Sequence, residues 1–496
     1  MLRREVQSHK AIYILLGITL VLALFIRVYK LGTTLGFYFD QGRDALVVWD
    51  LLRNGNFFLI GPTTGIAGIF RGPIYYYLIA PFYWLGNGDP VWPAVFLAST
   101  SVAAIALAYY LGYKLKDRTT GLFAAIIASF SFYMVMAGQW LSNPTPMLLV
   151  SMFLIWSLFL VSEGKSWAWI AVSSLAGLSL FHFGSSGELF YFLALGVFVV
   201  WQRKSLTDIK IVFLSLLAFL LTIAPLVVFD IRNDHILFKN IYSFIFEQKS
   251  FGGDFWQVFG KRLTYFYSVF SEKIFLGGSR LSNGLLFLLG AAFLFNLLQI
   301  FRNPKARIVL LVLIAPVIGF IFFQGNEGNL YGYYMTGYFM IFILLLGYVL
   351  RLVWGTALGK LFVAVFFTTF LAMNLPIVKA KITDNADGPT TILLGAQKRA
   401  VEWAYKDASG EVFNVDVYVP PVIPYTYDYL FVWYEVKPEY TGRVEDRQSL
   451  LYTMYEYDER TLEALNAWLV RQDTIGKVEY SENFGGITVQ RRKRVE

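Results

Sequence analysis

"RGPIYYYLIAPFYWLG", Arg71 to Gly86, decides which way this 496-residue chain runs. It is apolar, but a bilayer span needs about 20 residues, and this stretch holds two prolines and five tyrosines or tryptophans. Such aromatics settle where water meets lipid. The stretch therefore reads as a helix lying on the outer membrane surface. Counted as a span, it would reverse every loop that follows it.

The composition makes the membrane reading unavoidable. The chain is 57% hydrophobic and only 15% charged, with a mean hydropathy of +0.55. The fold class expected is a polytopic α-helical membrane protein with about eleven transmembrane helices. Spans fall at 11–28, 91–113, 121–140, 145–161, 166–182, 188–201, 209–230, 283–301, 307–323, 332–350 and 359–377. The first follows a basic start (Arg3, Arg4, Lys10) but lacks a small-x-small cleavage site, so it reads as an uncleaved span rather than a signal peptide. The chain has no cysteine, which excludes disulfides, thiolate metal sites and a cysteine nucleophile.

Loop charge sets the orientation. With a cytoplasmic N-terminus, the inner loops hold Lys114, Lys116, Lys165, Arg203, Arg302, Lys305 and Arg351, whereas the outer loops "LSNPTP" (141–146), "GSSGE" (184–188) and "QGNEGNLYG" (324–332) hold no lysine or arginine. This is the positive-inside asymmetry of a cytoplasmic-membrane protein, and it accounts for the net charge of +8 without nucleic acid. The first outer loop is then 29–90.

From Lys379 the composition shifts. The transmembrane unit is placed at 1–378 and a soluble α/β domain of about 115 residues at 379–496, on the outer side. "GAQKRAVEWAYKDASG" (395–410) and "DERTLEALNAWLV" (458–470) read as helices; "VFNVDVYV" (412–419), "GKVEYSE" (476–482) and "GITVQRR" (486–492) read as strands. "YTYDYLFVWYE" (425–435) reads either as a sugar-stacking surface or as a buried strand.

"YFDQGRDAL", Tyr38 to Leu46, opens a surface helix in the first outer loop, with Gly55 as its stop. Offsets of three and four put Asp40, Arg43 and Asp44 on one face. A plain reading makes Asp40 an N-cap and Arg43 its neighbour's partner. Polar residues recur at the same depth, however: Arg71, Asn143, His182, Glu188, Asp230, Arg232, Glu327 and Asn329. Ionisable groups beside spans usually face a cavity and have a task. A carboxylate can take a proton from an acceptor hydroxyl, and arginine can hold a phosphate through paired hydrogen bonds. A lipid phosphate leaving group would arrive from the bilayer, which suits a site at the interface.

The order of these motifs resembles the class C glycosyltransferases, in the branch of the polyprenyl-phosphate-mannose protein mannosyltransferases and the aminoarabinose transferases. The pattern is an acidic motif in the first outer loop, then a basic residue ahead of Pro-(x)-Tyr-Tyr, and "PLVVFDIRND" (225–234) where a later span meets its outer loop. The resemblance spans about residues 10–350. It implies a glycosyltransferase whose donor is a polyprenyl-phosphate sugar and whose acceptor is a protein, lipid or glycan. It implies Asp40 as the base and Arg71 by the carrier phosphate, with Arg232 a second candidate for that phosphate; Arg43 and Asp44, one turn on, would orient Asp40 and tune its basicity. Two departures bear on metal: Gln41 stands where an acid is common, and Asn143 where some relatives have aspartate. Both remove a hard ligand, so a divalent cation is not assured. His182 either touches substrate or makes a structural hydrogen bond. Glu327, Asn329, Tyr331 and Tyr333 either line a sugar pocket or form an aromatic belt. The rival readings are a flippase or exporter of lipid-linked glycans, and a ligase or polymerase using a diphosphate-linked oligosaccharide. A transporter would show repeated halves and mid-span charge. No repeat is evident here.

Overall fold

The computed structural model describes residues 5, 7–66, 68–247, 254–322, 329–383, 388–420 and 423–495. It is a helical, multi-pass membrane fold carrying a small sheet domain. Six helices are long and apolar enough to cross a bilayer: Lys10–Val28, Val91–Leu115, Ile209–Arg232, Pro304–Phe322, Gly332–Val353 and Ala357–Thr383. A bent pair, Arg118–Phe130 with Phe132–Gln139, passes the same test together, and four shorter apolar helices are Met147–Ser162, Ala168–Phe183, Gly187–Trp201 and Arg280–Phe295. Each of the eleven expected spans overlaps one of these.

Two features depart from the simple count. The run 121–140 is not one straight span: its halves meet at 70°, with Ser131 extended between them. The bend frees carbonyls that lipid cannot satisfy. Arg27, 1% exposed inside the first span, donates to the carbonyls of Ala128, Ser129 and Met134 at 2.9, 3.2 and 3.4 Å. Across the break, Asn374 Oδ1 accepts from Phe132 N at 2.9 Å. The last span continues to Thr383, past the composition shift at Lys379.

The segment 71–86 is a helix, Ile74–Leu85. Tyr75, Tyr76 and Tyr83 turn inward and are buried, while Trp84 and Leu85 face out. It packs on the helix Phe39–Asn54 and on Val91–Leu115. The long connection after Arg232 holds two helices that hydropathy does not reveal, Ile236–Tyr242 and Phe255–Ser271.

The C-terminal domain has strands β1 (Phe413–Tyr418), β2 (Leu450–Glu456), β3 (Gly476–Phe484) and β4 (Ile487–Arg494). Their order is β1-β2-β4-β3; β1 and β2 are parallel and the other pairs antiparallel. The aromatic stretch 425–435 is neither strand nor stacking surface. It forms the helix Tyr425–Tyr434, whose tyrosines 427 and 429 are buried and which packs on Phe39–Asn54.

Candidate active site

Asp40, Arg43 and Asp44 lie in the first two turns of Phe39–Asn54. Gly55 ends that helix with φ +69°, in the left-handed region glycine tolerates. Asp40 is not the cap. The chain enters at Tyr38, whose N–H donates to Gln41 Oε1 at 3.0 Å, so the Asp40 carboxylate is released from capping and its side chain is 59% exposed.

Arg43 holds the two acids together. Its Nη1 meets Asp40 Oδ1 at 2.9 Å, and its Nη2 and Nε donate to Asp44 Oδ1 at 2.8 and 3.0 Å. Nη1 also donates to Thr63 Oγ1 at 2.9 Å. Asp44 is buried and accepts from Tyr76 OH at 2.9 Å. Burial pushes its carboxyl up to about 6, although the Arg43 guanidinium pulls the other way. An open cleft of about 560 Å³ begins at Arg43 and runs past Asp50, Asn56, Phe58, Thr63 and Tyr76.

The residues do not fit a divalent cation. A guanidinium already stands between the two carboxylates, and among the described residues no three His, Cys, Asp or Glu side chains group as a metal site.

Arg71 lies in the loop ahead of Ile74–Leu85, fixed by its main chain: Arg71 N donates to Pro62 O at 3.1 Å, and Gly72 N to Phe181 O at 2.7 Å. The partly buried guanidinium has no hydrogen-bond or ion-pair partner among the described residues. Burial lowers its pKa, opposed by the fields of Glu188, Tyr333 and Tyr334. Tyr333 also feels the charge of Asp40. Asp40 and Arg71, one acid and one cation 31 positions apart in sequence, are thus both within electrostatic reach of one tyrosine. Tyr333 stacks on Tyr331 at 5.7 Å and meets Trp140 edge-on at 5.9 Å.

The other expected site residues divide. His182 does not face the cleft: it is fully buried, with Nε2 2.6 Å from Thr222 O and Nδ1 accepting from Ile74 N at 3.4 Å. A side chain on Gly72 would strike its ring, so His182 acts as a spacer behind the Arg71 loop. Asn143 Nδ2 donates to Phe183 O at 3.3 Å, tying the loop 141–146 to the end of Ala168–Phe183. Arg232 is exposed at its helix end, one turn after Phe229, whose ring meets Phe70 at 5.9 Å. Tyr331 is half-exposed. Glu327 lies outside the described residues.

Two contributors were not singled out from sequence. Tyr76 and Thr63 complete the acid cluster, and the Pro-x-Tyr-Tyr pattern was the available signal for Tyr76. Glu188 is fully buried and accepts from Gly337 N at 2.7 Å and Ser185 N at 2.6 Å. It locks the 184–188 loop to the start of Gly332–Val353 behind Arg71.

Residues 70–229 match the family described as dolichyl-phosphate-mannose-protein mannosyltransferase. That segment carries Arg71, Tyr76, Asn143, His182 and Glu188. No curated protein matches the sequence. The ArnT of Cupriavidus metallidurans, solved bound to undecaprenyl phosphate, superposes with a TM-score of 0.61 at 12% identity, covering 97% of each chain. The apo form of that protein gives the same score and identity over 98% of each chain. The oligosaccharyltransferase AglB of Archaeoglobus fulgidus, with an inhibitory peptide and a dolichol-phosphate, reaches only 0.48 at 11% identity, over 97% of this chain and 74% of that one. The family match covers about a third of the chain, and over nearly its whole length the chain shares the fold of ArnT; both support an assignment to the class C superfamily of membrane glycosyltransferases.

Proposed function

We propose that this enzyme transfers a sugar from a polyprenyl-phosphate carrier to an acceptor hydroxyl on the extracytoplasmic side of the cytoplasmic membrane. One observation carries the reading: an exposed carboxylate, Asp40, and a guanidinium, Arg71, that has no hydrogen-bond or ion-pair partner among the described residues both interact electrostatically with Tyr333. Asp40 takes the proton of the acceptor hydroxyl as that oxygen bonds to the anomeric carbon. The bond from that carbon to the phosphate oxygen breaks, and the phosphate leaves with the electron pair. Arg71 meets the charge that gathers there. ArnT, bound to undecaprenyl phosphate, and the dolichyl-phosphate-mannose family name support a lipid-phosphate donor. The loop charges support the outer side.

The test is release of polyprenyl phosphate from a polyprenyl-phosphate sugar by the purified protein with candidate acceptors. Asp40→Asn keeps the helix, because Gln41 supplies the cap, and should slow release by about 10²–10⁴-fold with donor binding retained. Near-normal release by a folded Asp40→Asn protein would end the catalytic assignment. Movement of intact donor across the bilayer without release would favour a carrier.

A further inference from the structure

The helix Val91–Leu115 begins beside Asp89, which Lys398 of the C-terminal domain grips. Its 25 residues carry the chain about 37 Å to the face opposite Asp40. There an open cleft of about 550 Å³ is bounded by Lys114, Lys116, Glu163, Arg302, Lys305 and Tyr348. Lys305 is spent on Glu163 at 2.7 Å and on Lys114 O at 3.3 Å. Lys114, Lys116 and Arg302 are exposed and have no carboxylate partner among the described residues. Three uncompensated cations therefore converge on one concavity.

A second feature lies along the same helix. An apolar groove of about 370 Å³ runs between Val91–Leu115 and Met147–Ser162, lined by Ala103, Ala106, Leu107, Tyr110, Phe153 and Trp156. The two small residues open it, and Tyr110 meets Trp156 edge-on at 5.8 Å at its lower end. Lys114 stands one turn further on, its ammonium 5.7 Å from the centre of the Tyr110 ring. Groove and cleft thus lie one helical turn apart along Val91–Leu115, joined by the contact of Lys114 with Tyr110. The positive-inside rule explains which face the cations occupy. It does not explain why they surround a cleft one helical turn from an apolar groove.

We infer that this is a binding site for one anionic phospholipid of the leaflet opposite Asp40. The phosphate diester sits among Lys114, Lys116 and Arg302, and an acyl chain lies in the groove. A zwitterionic headgroup would bring its own cation into a field already positive.

Native mass spectrometry of the full chain in mixed micelles tests this, with phosphatidylglycerol and phosphatidylcholine as probes. One phosphatidylglycerol should be retained and phosphatidylcholine not. A combined Lys114→Ala, Lys116→Ala, Arg302→Ala variant should lower retention about a hundredfold, at about fivefold for each basic residue near anionic lipid. Ala106→Trp, which fills the groove and leaves the cations, should lower it as well. Millimolar inorganic phosphate should not displace the lipid, and Arg71→Ala should not affect it. Equal retention of both lipids, full retention by the folded triple variant, or displacement by free phosphate would each overturn the inference.

Discussion

Arg43 decides what Asp40 can be. A lone exposed carboxylate in water is a weak base with no fixed direction. Here the guanidinium fixes Asp40 through Nη1 and is itself held by Asp44 through two donors. Asp44 is ionised only above about pH 6, because burial raises it from an ordinary 3.8. The sign follows. As pH falls through 6, Asp44 takes a proton and stops anchoring Arg43, which then neutralises Asp40 alone. The proposed transfer should therefore decline on the acid side with a midpoint near 6, seen in kcat/KM, which reports the free enzyme. Asp44→Asn fixes the neutral state. Its rate at pH 8 should resemble the parent's at pH 5, and the acid limb should flatten. An unchanged limb in Asp44→Asn would assign the titration to another group.

At the scale of elements, the break at Ser131 shows how a charge can serve a fold without serving chemistry. Arg27 sits inside the first span, with no carboxylate bonded to it among the described residues, and donates to four carbonyls, three of them at or beside the bend. Arg27→Met should leave those carbonyls without donors in a water-poor setting, at about 1–3 kcal/mol for each group left unsatisfied. A large drop in melting temperature and yield is expected, with Arg27→Lys recovering part of it. A melting temperature equal to the parent's would show that the bend needs no such donor. The same element marks the limit of what the sequence discloses. Hydropathy places every apolar run, because lipid demands it locally. The 70° turn was hidden because its partners, Arg27 and Asn374, come from about 100 residues before it and 240 after it. The acid cluster was legible, since Asp40, Arg43 and Asp44 share a helical face. Tyr76 on Asp44 spans 32 positions, and the burial of His182 depends on the bare backbone of Gly72. Neither relation has a local signal. The aromatic run 425–435 looked like strand because tyrosine and valine favour strands; packing on Phe39–Asn54 makes it helix.

Across the whole molecule, the C-terminal domain is fastened to the loop that carries Asp40 at both of its ends. Leu394 N donates to Leu35 O at 3.0 Å, and Gln397 Nε2 to Phe37 O at 3.0 Å, two residues before the Asp40 helix begins. At the far end, Trp433 Nε1 donates to Asn87 O at 2.8 Å, and Lys398 Nζ lies 2.9 Å from both oxygens of Asp89. The domain therefore lies on the same face as Asp40, and it grips main chain and one acid rather than presenting chemistry of its own. It also approaches closely at Gly42, where a side chain would collide with the backbone of Tyr425 and Thr426. Gly42 lies between Asp40 and Asp44, so any shift there is passed to both acids. Gly42→Ala should cost about 1–3 kcal/mol by overpacking and lower transfer more than donor binding. Gly65→Ala, in the same connection between Lys10–Val28 and Val91–Leu115 but with open space around it, should do neither. Thermal melting and sugar transfer, measured on both variants, decide the matter. If Gly42→Ala melts and transfers like the parent, the domain is a passenger on the loop and Asp40 is positioned from within the membrane unit alone.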